Sequence, residues 1–251
     1  MYKASIIIPY FRKKTFLKKT IKSIINQTYK NFEVIIVYDD ENQNELRYVK
    51  NIAQSDHRIR LHINKKNLGA GESRNIGIKL AKGKFICFVD ADDIWMKNKL
   101  KTQINFMNEK KISCSHTSYL IIDSTGKIFG NREAEDCNDY LKLRKSCNIG
   151  LSTVIIERSF LKKRFKFPKI KTKEDFVLWL KIVKSGNTIF GLKKNLVKWR
   201  KSENSLSSSS IQKIKDGFKV YNQYLEYNIF KSIYFLIILS INFFKKSLLN
   251  L

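Results

Sequence analysis

Four short apolar runs in the first ninety residues, separated by stretches of helical periodicity, constrain the fold of this chain more than any other feature. Residues 5–8 run apolar into Pro9, residues 34–37 lead to Asp39 and Asp40, and residues 85–89 are apolar on both faces. Residues 58–63 alternate, with Ile59, Leu61 and Ile63 on one side. Between the runs, residues 15–26, 44–53 and 73–81 repeat their apolar positions at helical spacing, as in Phe16, Thr20 and Ile24 beside Leu17, Ile21 and Ile25. Strands of this length alternating with helices of about ten residues build β-α-β units and a mostly parallel sheet. Continuous apolar runs suit strands covered on both faces. The expected fold class is therefore α/β, with residues 1–100 forming a nucleotide-binding half.

The pattern loosens further on. Residues 97–107 read as a helix, and residues 113–122 and 127–130 as strands around the turn Asp123-Ser124-Thr125-Gly126. Residues 153–156 make a short strand, 174–184 a helix with Phe176, Leu178, Trp179, Ile182 and Val183 apolar, and 196–199 a last strand. A four-serine loop at 207–210 precedes a helix over 211–227. A length of 251 residues fits one domain with a short appendage, and 43% hydrophobic content is enough for a core, which excludes general disorder.

Ligands of open parallel sheets bind beyond the carboxyl ends of the strands. There this chain places Pro9-Tyr10-Phe11, Tyr38-Asp39-Asp40 and Asp90-Ala91-Asp92-Asp93. Carboxylates crowded together are costly unless a cation neutralises them, and an oxygen-rich site suits Mg²⁺ or Mn²⁺ bound together with substrate phosphates. The alternative is that Asp93 caps the following helix and its neighbours are solvated. Asn67-Leu68-Gly69-Ala70-Gly71-Glu72-Ser73-Arg74-Asn75-Ile76-Gly77 sets glycines before a helix, where backbone can approach an anion and Arg74 follows one turn in. The three histidines, His57, His62 and His116, have no metal-ligand spacing to one another.

In this order, the motifs resemble those of family-2 glycosyltransferases of the GT-A fold, over residues 3 to about 207. The resemblance implies a Rossmann-like domain over 1–207, whose second half, 101–207, binds the acceptor, followed by a C-terminal helical segment over 208–251. It implies that Pro9, Tyr10 and Phe11 line the nucleotide pocket and that Asp39 hydrogen-bonds uracil. Arg74 would lie near base and phosphates, Asp90 and Ala91 near the ribose, and Asp92 would hold a divalent ion, Mn²⁺ or Mg²⁺, on the diphosphate. Glu174-Asp175 resembles the family's acidic pair at a helix start, which makes Asp175 the base that deprotonates an acceptor hydroxyl in one inverting displacement. The plain alternative is that both acids favour a helix N-terminus. Residues 199–207 resemble the loop in which many members carry a metal-ligating histidine. Here Ser202 stands at that position, and Arg200 either contacts the diphosphate or is a solvated surface arginine. The implied activity is transfer of a sugar from a UDP-sugar donor to a saccharide acceptor, lipid-linked, in lipopolysaccharide, capsule or other bacterial surface-glycan synthesis.

The chain carries 49 Lys and Arg against 22 Asp and Glu, a net charge of +27. Such an excess attracts phosphates, on nucleic acid, nucleotides or anionic lipid. A nuclease using the acidic cluster, or a basic nucleic-acid binder, is the alternative reading, but no nucleic-acid module is recognisable. Nucleic acid is therefore not the expected partner, and an anionic membrane surface is. Residues 233–239 are unbroken apolar, extended by Ile241, Phe243 and Phe244, with Lys231 before and Lys245 and Lys246 after. The 13 uncharged residues make about 20 Å of helix against about 30 Å of bilayer hydrocarbon. The segment reads as a helix packed on the domain or one lying in the interface, insertion being the third option. Cys87, Cys114, Cys137 and Cys147 contain no C-x-x-C pair, and the N-terminal apolar run is too short for a signal peptide. The expected setting is cytoplasmic, peripheral on the inner face of the plasma membrane.

Overall fold

The computed structural model describes residues 3–201 and 210–248; the loop bearing Ser202 lies outside them. The first half follows the predicted alternation: β1 (Ala4–Tyr10), α1 (Lys14–Ile25), β2 (Phe32–Tyr38), α2 (Leu46–Gln54), β3 (Ile59–Ile63), α3 (Ala70–Leu80) and β4 (Phe85–Phe88). There follow β5 (Ile94–Trp95), α4 (Lys99–Lys110), β6 (Cys114–Ile122), β7 (Ile128–Arg132), α5 (Tyr140–Leu143), β8 (Ile155–Glu157), α6 (Arg158–Arg164), α7 (Glu174–Lys184) and β9 (Phe190–Arg200). Two further helices, α8 (Ser210–Lys219) and α9 (Ile229–Leu248), complete the chain.

One sheet of order β3-β2-β1-β4-β8-β6-β9-β5 runs through both halves, with β7 paired to β6. Its first four strands are parallel, which aligns their carboxyl ends along one edge. Beyond β4 the sheet is mixed, since β8 is antiparallel to both β4 and β6 whereas β6 and β9 are parallel. The change of direction delivers β5 and β9 to the same edge from the far side. β9 is longer than the apolar run at 196–199 suggests because its first half, with Lys193, Lys194 and Asn195 exposed, is irregularly paired to β6.

Period-two alternation along the strands divides the interior into two cores. Ile6, Ile8 and Tyr10 of β1 meet Leu17, Ile21 and Ile24 of α1 on one face. Ile7, Ile35, Val37 and Phe88 meet Ile78 of α3 and Trp179 of α7 on the other. Trp179 is fully buried, so its place on the apolar face of the helix is a packing role. The tail is fastened to the second core by aromatic contacts: Phe235 of α9 stacks on Tyr221 at a ring distance of 5.7 Å, and Arg144 lies 4.4 Å over the Phe235 ring. A π-helical turn at Val220–Tyr224 separates α8 from this contact, which interrupts the single helix expected over 211–227.

Gly77 lets α3 lie close against β1, because a Cβ there would stand 2.4 Å from Ile7 Cγ2. Replacing a helical glycine by alanine favours the helix by about 1 kcal/mol, while overpacking a full core costs about 1–3 kcal/mol. Gly77→Ala is expected to be destabilising on balance, with a Tm a few degrees lower in a thermal melt.

Candidate active site

At the end of β2, Asp39 is buried and organises the loop that leads into α3. Its Oδ1 accepts from Leu68 N–H and from Asn64 Nδ2, and its Oδ2 accepts from Gly69 N–H, each at 2.8 Å. Gly69 has φ +84°, a backbone angle that side-chain-bearing residues rarely adopt, and this lets its N–H turn back to the carboxylate. Three of the roughly four lone-pair positions of the carboxylate are thus occupied by the protein, leaving about one for a ligand donor.

Arg74, one turn into α3, is buried and carries two ion pairs. Its Nη2 donates to Asp90 Oδ1 at 2.7 Å, and its Nη1 donates to Glu174 Oε1 at 2.5 Å. The next residue reinforces the junction: Asn75 Nδ2 donates to the Phe167 carbonyl and Asn75 Oδ1 accepts from Phe167 N–H, both at 3.0 Å. Gly71 makes the approach possible, since a Cβ there would meet the Pro168 carbonyl oxygen at 3.0 Å. Arg74 therefore clamps the strand-end carboxylate of Asp90 to the start of α7, and Asn75 ties α3 to the segment that leads into it.

Burial opposes the charge on Arg74, but its two carboxylate partners outweigh it and raise the guanidinium pKa. Burial pushes the Glu174 carboxyl up to about 7 against the pull of Arg74. It raises Asp175 as well, with Arg74 again opposing and the Asp90 charge adding to the rise. Asp175 is only partly covered, and its Oδ1 accepts from Phe176 N–H at 2.7 Å, a helix-start contact that leaves the rest of the carboxylate free of the backbone.

The acidic run after β4 is held apart, not clustered. Asp90 is one-third exposed and paired to Arg74, while Asp92 Oδ2 lies 2.7 Å from Lys13 Nζ. Asp93 turns inward, where Oδ2 accepts from Ser152 Oγ at 2.5 Å and Oδ1 from Arg200 N–H at 2.8 Å. Burial, reinforced by the charges of Asp92 and Asp90, pushes Asp93 well above the usual carboxylate range. Ala91 is buried, and its carbonyl accepts from Thr20 Oγ1 at 3.0 Å, pinning the centre of the run to α1. Among the described residues no three His, Cys, Asp or Glu side chains converge as a metal cage. The donor set does fit an ion taken up with phosphates, since Asp92 is a single carboxylate at the ligand edge and the Lys13 ammonium already places a cation on it.

Four sequence candidates have placements that spacing alone did not specify. Pro9 and Phe11 are partly exposed at the end of β1, but the Tyr10 side chain is fully buried, stacked 5.5 Å from Tyr38, with its hydroxyl donating to Glu45. Arg200 is buried, not solvated. Its Nε donates to the Asp92 carbonyl at 3.0 Å and its Nη1 to the Asp123 carbonyl at 2.6 Å, with Phe16 beneath it at 4.6 Å. The site also contains Lys13 and Ser152, which belong to none of the motifs, and Asn75, whose pairing with Phe167 its motif does not announce. Lys13 had a signal in the basic run Arg12-Lys13-Lys14 directly after the first strand; Ser152 had none.

Strand-end chemistry of this kind on a parallel sheet half marks a ligand site, and comparison with known proteins supplies the family. The family model Glycosyl transferase family 2 matches residues 5–174, and the chain belongs to that family. It is 37% identical over 238 residues to the Escherichia coli UDP-Glc:alpha-D-GlcNAc-diphosphoundecaprenol beta-1,3-glucosyltransferase WfgD, covering 94% of this chain and 91% of that one. The putative teichuronic acid biosynthesis glycosyltransferase TuaG of Bacillus subtilis is 30% identical over 223 residues and 87% of each chain. Among solved structures, S. aureus TarS 1–349 in complex with UDP-GlcNAc shares the fold with a TM-score of 0.75 at 21% identity, covering 97% of this chain and 73% of that one.

Glu174 binds more protons in the folded chain than in the unfolded one between about pH 4.5 and 7. Its contribution to stability therefore declines as pH rises through that window. The difference in Tm between Glu174→Gln and the unsubstituted protein should shift in favour of the variant as pH rises from about 5 to about 8. Melts at matched ionic strength test this, and a difference that stays flat across the range contradicts it.

Proposed function

We propose that this protein is an inverting glycosyltransferase that moves a sugar from a UDP-sugar to a hydroxyl of a lipid-linked saccharide during assembly of a bacterial surface glycan. The observation that carries this reading is the Arg74 clamp, which joins Asp90, on the donor edge, to Glu174, the neighbour of Asp175. The lipid-linked acceptor is suggested by the named activity of WfgD. Four free cysteines suit a cytoplasmic setting, where nucleotide sugars are made, with the enzyme resting on the inner membrane face.

In this reading Pro9 and Phe11 border the base, with the buried Tyr10 ring supporting them from below. Asp39 uses its remaining lone pair on the uracil N3–H while its other bonds hold the loop in place. Asp90 and the Ala91 peptide face the ribose. Arg74 sets a fixed positive charge beside base and phosphates, and Arg200 braces the Asp92 peptide from beneath the diphosphate. Asp92 would hold a divalent ion, Mn²⁺ or Mg²⁺, which when bound supplies charge for the departing diphosphate.

Asp175 takes the proton of the acceptor hydroxyl. As that oxygen forms its bond to the anomeric carbon, the bond from that carbon to the diphosphate breaks on the opposite side, and UDP leaves. A raised carboxyl pKa makes Asp175 a stronger base than a solvated aspartate. Glu174, bonded to Arg74, fixes the start of α7 and with it the position of Asp175.

Ligands that bind only the folded state raise its melting temperature. UDP-glucose and UDP-GlcNAc, tested with Mn²⁺, with Mg²⁺ and with chelator, should give a metal-dependent shift that Asp92→Asn abolishes. Asp175→Asn should keep that shift yet lose about 10²–10⁴-fold in kcat in a UDP-release assay. A variant with near-normal turnover would remove Asp175 from the mechanism.

A further inference from the structure

The last helix carries its polarity the wrong way round for a soluble protein. Ser232, Phe235, Leu239, Asn242 and Lys246 form the stripe of α9 that meets the domain, with Ser232 buried and Asn242 Nδ2 donating to the Lys145 carbonyl at 3.0 Å. The opposite stripe, Phe230, Tyr234, Ile237, Ile241 and Phe244, is apolar and exposed, from 48% for Ile241 to 85% for Phe230. The spacing of four, three, four and three residues keeps these five side chains on one face of a helix. On the neighbouring α8, Ile211 and Ile214 are also exposed, and Lys213 lies 6.0 Å over the Phe243 ring. An apolar stripe of this extent on a soluble surface marks an interaction face.

What covers it follows from charge and length. Among the described residues no helix is long and apolar enough to cross a membrane, so the stripe can meet lipid only side-on. Lys231 and Lys245, both exposed, stand at its two ends on a chain of net charge +27. A second copy of the chain would bring the same positive charge against it, whereas an anionic bilayer surface offers apolar depth and opposite charge together.

We propose that α9, with the adjoining end of α8, is a docking face for an anionic lipid bilayer, lying parallel to the surface with the Phe230-to-Phe244 stripe immersed. The position of the helix gives this a consequence for the site. The Lys246 ammonium bonds Ser146 and Asn148. The C-terminal end of the docking helix is thereby fixed to the loop at 146–148, in the second half of the chain. A bilayer under α9 lies next to that loop, so an acceptor with a lipid tail approaches the second half from the membrane side. Docking stands on the helix alone; delivery of the acceptor rests on the glycosyltransferase reading.

The test is co-sedimentation of the full chain with phosphatidylcholine vesicles containing about 30% phosphatidylglycerol, compared with pure phosphatidylcholine. The chain should pellet with the anionic vesicles at low salt and much less with the neutral ones. Ile237→Asn/Ile241→Asn/Phe244→Asn should lower partitioning about tenfold or more, with an unchanged melt and an unchanged shift on UDP-sugar. Lys231→Glu/Lys245→Glu should lower it as well and make what remains less sensitive to salt. The proposal is overturned if the unsubstituted chain stays in the supernatant, if the apolar variant pellets equally, or if ultracentrifugation shows a dimer that this variant dissociates. Loss of the UDP-sugar shift alone would count against the glycosyltransferase reading and leave the docking face standing.

Discussion

The site depends on one buried cation. Arg74 has a carboxylate on each side, Asp90 from the parallel half of the sheet and Glu174 from the start of α7, and its guanidinium fixes the distance between them. Removing one member of a buried ion pair costs about 3–5 kcal/mol because the remaining charge has no partner in a poorly solvated place. Here the loss would fall where the two halves of the chain meet. Asn75 makes the same junction with neutral groups, its amide paired in both directions with the Phe167 backbone. Adjacent residues of one helix thus provide both an electrostatic and a geometric tie, and Gly71 provides the room for both.

The acidic run shows how a basic chain keeps three carboxylates within four residues. Each is given a different counter-group: Arg74 for Asp90, Lys13 for Asp92, and for Asp93 a serine hydroxyl and a backbone amide. Asp93 is the costly one, since it is buried beside two charges that raise its pKa, and its partners are neutral. It acts as a bracket that connects the run to Ser152 and to the end of β9. Arg200 completes the bracket by holding the Asp92 carbonyl. With its neighbours fixed in this way, Asp92 stands at the ligand edge with the Lys13 ammonium as its counter-ion.

Much of this was legible in the sequence because it is local. Strands β1, β2 and β4 are largely apolar runs and β3 alternates, all at regular intervals, so periodicity locates them and their carboxyl ends locate the acids. β5, α5 and α6 escaped because two to seven residues are too few for a period to show. Partnerships between distant residues were not legible. Nothing in the spacing of Arg74 and Glu174, one hundred residues apart, announces an ion pair, and Ser152 is an ordinary serine until Asp93 and the Asp90 amide are placed against it. Tyr10 illustrates the opposite difficulty: its position at a strand end suggests a pocket, but the two-residue period of β1 turns its ring into the core. Arg200 follows the same logic, because the alternation of β9 at its end points inward toward the Asp92 carbonyl.

The tail obeys a different constraint from the rest of the chain. Elsewhere apolar side chains at helical spacing face the sheet, as Leu17, Ile21 and Ile24 do on α1. In α9 the same spacing points outward, while a serine, an asparagine and a lysine are turned toward the domain. Phe235, Leu236 and Leu239 are the apolar side chains that α9 packs on the domain, so only part of its apolar surface is buried there. The anchoring groups settle the matter: Phe235 is held between Tyr221, Tyr227 and Arg144, and Lys246 reaches the loop at 146–148. These contacts fix the helix by its narrow aromatic and polar seam and leave its wide apolar face to an outside phase. Because the seam ends at Ser146 and Asn148, whatever that phase is lies next to that loop of the second half.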